Sequence, residues 1–345
     1  MADVAAVPMK SIGPLKIVGT TINQEVMVPL ATYESPVWPS TNRGAKVTRL
    51  SGGMLVTMVD ERMTRSSILK APNASVAARI AKALVSRLDE LNQAVAESSR
   101  FAKLIDIHYQ VVGRELYIRF EFTTGDAAGH NMVTRASDYL LRWIQKEYTE
   151  LEYVSVSANY CTDKKNSAVN GILGRGKYVV TEMTIPRQVC QDVLKTTPEK
   201  IVAMNTKKNL MGSLIAGSVR SANAHFANIL LAFYLATGQD AANIVEGSQG
   251  FVTAEMQEDD LYFATTMPNI IVGTIGNGKG LPFVQENLAL LDCVAKRPAG
   301  ENARRLAAIC AAATACCELS LLAALTNPGE LMRAHVAFER GKEKV

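Results

Sequence analysis

The run Asn159-Tyr160-Cys161-Thr162-Asp163-Lys164-Lys165 concentrates more reactive chemistry than any other stretch of this chain. It holds two amines, a carboxylate, a carboxamide and two hydroxyls, between a strand-like run at 153–156 and a Gly-rich loop at 171–176. An amine at the end of a strand, among other donors, can polarise a carbonyl and hold the charge that develops on its oxygen. Taken alone, Asp-Lys-Lys is also what an ordinary solvated turn looks like. Further polar islands stand in apolar surroundings: Gly125-Asp126-Ala127-Ala128-Gly129, Asn223-Ala224-His225, Gly238-Gln239-Asp240 and His335. Asp240 suits a helix N-cap. The His335 imidazole can donate a proton near neutral pH. Glu34 can act as an acid only where burial or a neighbouring charge keeps it partly protonated.

Two blocks of elements must position these residues. Residues 66–158 read as strand, helix, strand, strand, helix, strand. The first helix spans 74–96, with Val76, Ile80, Leu84, Leu88, Leu91 and Val95 on one stripe. Strands at 104–112 and 116–122 flank a Gly113-Arg114 turn, a second helix covers 127–148, and a strand closes at 152–157. This β-α-β-β-α-β order is the split pattern of a ferredoxin-like sheet. The flanking residues form a larger unit. There the stretch 209–236, apolar on all sides and rich in small residues, predicts a central buried helix that Gly238 stops. A second long helix covers 301–324, and a short last one follows Asn327-Pro328-Gly329.

Composition narrows the function classes. The 345 residues are 48% hydrophobic and 20% charged, with a net charge of only +4 from scattered Lys and Arg. That argues against a nucleic-acid binder and leaves room for a local basic pocket. The six cysteines form no metal spacing, so no metal is expected and a reducing, cytoplasmic compartment is. The first residues lack the pattern of a signal peptide, and the apolar stretches 227–236 and 306–317 read as too short to span a bilayer.

In this order, and over residues 14–340, these strings resemble the catalytic domain of 3-hydroxy-3-methylglutaryl-CoA (HMG-CoA) reductase. The resemblance implies an α+β fold: a large, mostly helical substrate and dimerisation domain (1–65 and 159–345) and an inserted ferredoxin-like NADP(H) domain (66–158). It implies the four-electron reduction of HMG-CoA to mevalonate and CoA with two NADPH, a step of isoprenoid biosynthesis. Lys164 would stabilise the oxyanion, Asp240 would bridge it to Glu34, Glu34 would supply a proton to the reduced carbonyl, and His335 would protonate departing CoA. Arg65, Ser157, Asn159, Asp163, Lys165, Lys208, His225 and Asn228 would line the substrate pocket. Ser99, Arg100, Asp126, Ala128, Gly129, His130 and Asn131 would hold the cofactor, with the Arg100 guanidinium favouring NADPH over NADH. The resemblance also implies a homodimer or higher homo-oligomer sharing its active site between subunits, and a cis peptide at Cys161-Thr162. The sequence departs from the family at His130, where methionine is usual, at Arg220-Ser221, where Gly-Gly is common and which would crowd the central helix, and at Glu339-Arg340-Gly341, where a regulatory serine is missing. Two other readings stay open: an NAD-dependent relative that oxidises mevalonate, and a non-catalytic CoA-binding relative.

Overall fold

The computed structural model describes residues 5–337, so the departure at Glu339-Arg340-Gly341 lies outside the described residues, as does Phe338. Ten strands form one connected sheet: β1 (Met9–Val18), β2 (Gln24–Ala31), β3 (Met54–Lys70), β4 (Lys103–Val112), β5 (Glu115–Thr123), β6 (Glu152–Ser155), β7 (Gly176–Ile185), β8 (Ser221–Ala222), β9 (Gly250–Gln257) and β10 (Asp260–Ile270). The helices, in chain order, are α1 (Val37–Leu50), α2 (Ala74–Ser86), α3 (Leu88–Ser98), α4 (His130–Glu147), α5 (Ala168–Leu173), α6 (Arg187–Val189), α7 (Pro198–Met204), α8 (Ser213–Ile215), α9 (Phe226–Ala236), α10 (Ile244–Gly247), α11 (Pro282–Leu290), α12 (Glu301–Leu325) and α13 (Glu330–His335).

Strand β3 is the spine. Sequence reading expected a short strand at 67–69; the strand has 17 residues and serves two sheets. Its first half lies between β1 and β7 in the order β2-β1-β3-β7-β10-β9-β8. Its second half pairs antiparallel with β5 and β6, and β4 pairs antiparallel with β5, giving β6-β3-β5-β4. Helices α2, α3 and α4 share one hydrophobic core with this second sheet, and the remaining elements share another. The expected helix over 74–96 is two helices. The chain breaks at Arg87 (φ −109°, ψ 28°), whose guanidinium packs 4.8 Å from the Trp143 ring.

The larger part is not mostly helical, because the seven-strand sheet runs through it. Nor is 209–236 a single buried helix. Residues Asn205–Gly212 form a π-helical stretch, Gly217 (φ +70°) and Arg220 (φ +54°) turn the chain, and only α9 is regular. Leu214 and Ile215 are 74% and 83% exposed. Apolar side chains all round a segment suit a core or an unpartnered surface equally well, and sequence alone does not separate the two. Arg220 lies outside any central helix and packs on α5 instead: its guanidinium donates to the Gly171 carbonyl and stacks 5.0 Å from the Phe251 ring.

The helix that fills the centre is α12. At 25 residues and a mean hydropathy of 1.9 it is long and apolar enough to cross a membrane, which the shorter stretch expected from sequence was not. Its apolar window is 94% buried inside the fold. Alanines let neighbours approach closely, and α1 does so at Gly44, where an added Cβ would lie 2.2 Å from the Cys316 carbonyl oxygen. The six cysteines are all buried and unpaired. Gly44→Ala is expected to destabilise the fold by roughly 1–3 kcal/mol through overpacking. Urea unfolding checks this, and an unchanged midpoint would mean that α1 and α12 separate without cost.

Candidate active site

The chemistry-bearing loop leaves β6 and is pinned from beneath by a side chain that sequence reading did not single out. Ser66, fully buried on β3, accepts hydrogen bonds through Oγ from the Tyr160 amide (2.8 Å) and the Cys161 amide (3.0 Å), and its carbonyl accepts from Ala158. Asn170 on α5 donates to the carbonyls of Cys161 (2.8 Å) and Thr162 (3.1 Å). The loop turns through left-handed backbone at Asn159, Thr162 and Lys164. The expected cis bond at Cys161-Thr162 is not formed; the cis peptide among the described residues is Gly13-Pro14. Three residues held at positive φ in one loop mark a backbone fixed by its surroundings.

That geometry brings Lys164 Nζ to 2.7 Å from Asp240 Oδ2. Asp240 also caps the 3-10 turn Ala241–Asn243 through the Ala242 amide (3.1 Å), so the N-cap and ion-pair roles coexist. The hydrogen bond that Lys164 donates to the Asp240 carboxylate raises the Lys164 pKa above the usual lysine value. Burial pushes the Asp240 carboxyl up, but the hydrogen bonds from Lys164 and the Ala242 amide outweigh it and hold the carboxyl below the usual range. The amine is thus kept cationic, as an oxyanion stabiliser must be.

A buried arginine sets the position of this pair. Arg175, only 1% exposed, reaches Glu246 at 2.8 Å and Asp163 at 3.1 Å. Glu246 Oε1 also accepts from the Lys164 amide (3.1 Å) and Asn243 Nδ2 (2.9 Å). Burial raises the Glu246 pKa, with the Arg175 charge opposing. Arg175 and Glu246 were missed in the sequence, although a lone acid in the apolar run 244–247 is itself a signal, since unpaired charge is not buried. Lys165 bends back to the Asp163 carbonyl (3.2 Å), Ser157 is exposed, and Arg65 donates to the Val156 carbonyl (3.2 Å) where the loop begins.

The expected cofactor loop abuts the same centre. Gly129 is left-handed (φ +96°) and starts α4 with no side-chain cap, so the first-turn amides at His130 and Asn131 meet no capping side chain. At Gly273 an added Cβ would lie 2.3 Å from the Ala128 nitrogen, so the two loops are in close backbone contact. The Asp126 carboxylate faces away from this turn and accepts the Gly300 (3.1 Å) and Ala303 (3.0 Å) amides at the start of α12. Ser99 Oγ accepts from Phe101 and Ala102, and Arg100 is exposed beside the Phe101 ring. His130 Nε2 lies 3.7 Å from Asp163.

Glu34 and His335 are not brought to Lys164 within one chain. They open instead on a cavity of about 370 Å³, together with Arg43, His225, Asn228 and Ser320. Asp240 follows the C-terminal end of α9 and His225 precedes its N-terminal end; eleven helical residues separate them, about 16 Å. Burial pushes the His225 pKa down to about 4, and the charge of Lys208, near this second cluster, lowers it further. A third group, Asp106, His108 and Glu121, places its ligand atoms within 4.8 Å of one another, but Arg62 and Arg119 already hold both Glu121 oxygens. That makes it a salt-bridged cluster in which Glu121 has no free oxygen for a cation.

Burial, with the Arg175 charge, pushes the His130 pKa down to about 4. A depressed folded pKa means that the unfolded chain binds the extra proton first, so this stability is present above about 6.5 and is lost as pH falls through about 4. His130→Met is expected to flatten the fall in stability over that window, as read by urea midpoints from pH 7 to 4. An unchanged slope would show that the imidazole is solvated.

The family model for hydroxymethylglutaryl-coenzyme A reductase matches residues 2–340. The 3-hydroxy-3-methylglutaryl-coenzyme A reductase of Pyrococcus abyssi is 45% identical over 343 residues, covering 99% of this chain and 84% of that protein. The reductase of Aeropyrum pernix is 44% identical over 341 residues, covering 98% and 80%. A solved class II 3-hydroxy-3-methylglutaryl-CoA reductase from Streptococcus pneumoniae, described as bound to NADPH in open conformations, superposes with a TM-score of 0.75 at 20% identity, covering 94% of this chain and 86% of that one, and is similar in fold. Matched by the family model over nearly its whole length and 44–45% identical to these reductases, the chain belongs to the hydroxymethylglutaryl-coenzyme A reductase family.

Proposed function

We propose that this chain reduces HMG-CoA to mevalonate and free CoA at the expense of two NADPH, in a site completed by a second copy of the chain. The observation that carries the reading is the 2.7 Å Lys164–Asp240 pair on a loop held in left-handed backbone, in a chain of the reductase family.

The residues at the nucleotide loop fit NADPH. An uncapped helix start beside a close glycine contact offers free amides to a pyrophosphate, and the exposed Arg100 can pair with a 2′-phosphate. Residues 66–158 are read as the NADP(H) domain, and the order β6-β3-β5-β4 supports a ferredoxin-like unit. Residues 1–65 and 159–345 then form the substrate and dimerisation domain. NADPH, when bound, supplies the hydride for each reduction.

Lys164 faces the thioester carbonyl and meets the negative charge on its oxygen, while Asp240 keeps the amine protonated and in place. His335 protonates the departing CoA sulfur. Glu34 donates a proton to the alkoxide of the second reduction. Arg65, Lys165 and Lys208 supply cations for the free carboxylate of the HMG group, and Ser157, Asn159, Asp163, His225 and Asn228 orient it. Because Glu34 and His335 lie at the far end of α9 from Asp240, one chain holds two half-sites. The exposed apolar run of Leu210, Met211, Leu214 and Ile215 supports a partner copy that brings complementary halves together. Six unpaired, buried cysteines suit a reducing cytoplasm.

Purified protein should consume NADPH and release a thiol when given HMG-CoA, and Lys164→Ala should lower kcat by about 10²–10³-fold. Arg100→Ala should raise the NADPH KM by about 10-fold and leave NADH use unchanged. Preference for NAD with mevalonate, unmoved by that change, would reverse the direction; a folded dimer that binds CoA without turnover would remove the activity.

Mixing Lys164→Ala with Glu34→Ala protein tests the shared site. Random dimers should recover roughly a quarter of the parent activity, because one site in each mixed dimer is intact. No recovery after verified subunit exchange would place both residues in one chain's site.

A further inference from the structure

Beneath the Glu34 cavity lies a carboxylate that none of the steps above uses. Glu318 is the single charged residue between Leu306 and Leu325 on α12, and it is fully buried. Its two oxygens take the backbone amides of two successive residues: Oε1 accepts from Ala224, and Oε2 from His225 at 3.0 Å. His225 Nε2, a buried atom, stands 3.9 Å from Oε2, beyond hydrogen-bond range, and the imidazole is held on its other flank by the Cys317 backbone. Asn209 hydrogen-bonds the same carboxyl, and Lys208 acts on it through its charge. Glu318 thus links two chain segments, 208–209 and 224–225, across the exposed, irregular stretch between them.

The arrangement is costly. Burial pushes the Glu318 carboxyl up to about 7, against the pull of the two amides and Lys208. The first amide of α9 needs no such charge, because Asn223 Oδ1 already accepts the Phe226 amide at 3.2 Å. What the carboxylate adds is a fixed height for His225, whose side chain lines the cavity together with Glu34, Asn228 and His335.

We propose that Glu318 is a positioning residue of the acyl-CoA pocket: its buried carboxylate clamps the Ala224 and His225 amides and so sets His225, with Lys208 alongside, against the substrate. This rests on the reductase reading for the identity of the substrate, but not for the clamp itself. Glu318 touches neither substrate nor cofactor in this arrangement. The nucleotide loop lies at the other end of α12, where Asp126 caps its first turn.

Glu318→Gln keeps length and volume and removes the second strong acceptor, so one of the two amides loses its partner. Two readouts decide. In amide hydrogen exchange, Ala224 and His225 should exchange about 10-fold faster in Glu318→Gln, the scale of one charge-assisted hydrogen bond, while the α4 amides are unchanged. In steady-state kinetics, the HMG-CoA KM should rise by about 10-fold, with the NADPH KM unchanged and kcat changed less.

Unchanged exchange and an unchanged HMG-CoA KM would overturn the proposal. So would equal rises in both KM values with a lowered melting temperature, which would mark a residue that only supports the fold. Should Glu318→Gln not fold, Glu318→Asp, which keeps the charge one methylene short, is read in the same two ways. Absence of any turnover by the unaltered protein would remove the reductase reading. Exchange at Ala224 and His225, measured with and without free CoA, would then decide the clamp by itself: CoA must slow the two amides further in the parent and not in the variant, and an equal response in both overturns it.

Discussion

The buried guanidinium of Arg175 is the interaction on which the Lys164 loop depends. It lies inside the fold with Glu246 on one side and Asp163 on the other, and Glu246 in turn receives the Lys164 amide. A buried cation with two carboxylates in hydrogen-bond range is a high-stakes arrangement. Removing either partner leaves charge in a low-dielectric interior, which costs about 3–5 kcal/mol. That penalty fixes the distance from the loop to α10, and so to the Asp240 turn just before it. Lys164 meets Asp240 because its backbone has no cheaper place to be.

The same logic operates at the other end of α9. There a buried acid, Glu318, takes two amides and fixes the turn that presents His225. A buried acid from a different element thus lies near each end of this short helix: Glu246 on α10, which holds the Lys164 loop, and Glu318 on α12, which holds the Ala224 and His225 amides. The helix keeps its two polar clusters about 16 Å apart, a separation that suits one half-site per end. Rigid spacing on an apolar helix holds geometry better than loop against loop, since close-packed interiors do not deform smoothly.

Long α12 links these features. Asp126 caps its first turn from the nucleotide loop, Gly44 of α1 packs on its middle, and its last turns carry Glu318 and Ser320. Arg43 donates to Ser320 (2.8 Å) and pairs with Glu330 (2.7 Å), tying the cavity wall to α13. One continuous, nearly incompressible element thus runs from the Asp126 loop to the Glu34 cavity.

Much of this was legible in the chain itself. The α+β class, the β4–β5 hairpin at Gly113, the Gly238 stop after α9, the Asp240 cap and the polar string around Lys164 follow from local rules: alternation, left-handed glycine and side-chain capping act within a few residues. Helix 74–96 and helix 209–236 failed for the opposite reason. The break at Arg87 is held by an aromatic ring and acids far along the chain, and the apolar run at 210–219 has the composition of a core while lying on the surface. Ser66, Arg175, Glu246 and Glu318 gave little sign beyond being polar groups in apolar company, because each takes a decisive partner 71–95 residues away. The sequence by itself determined which chemical groups the protein owns and which local turns carry them. Only the tertiary structure decided which groups meet, because pairing across such separations is set by packing and by the cost of burying unpaired charge, and neither has a period that can be read along a chain.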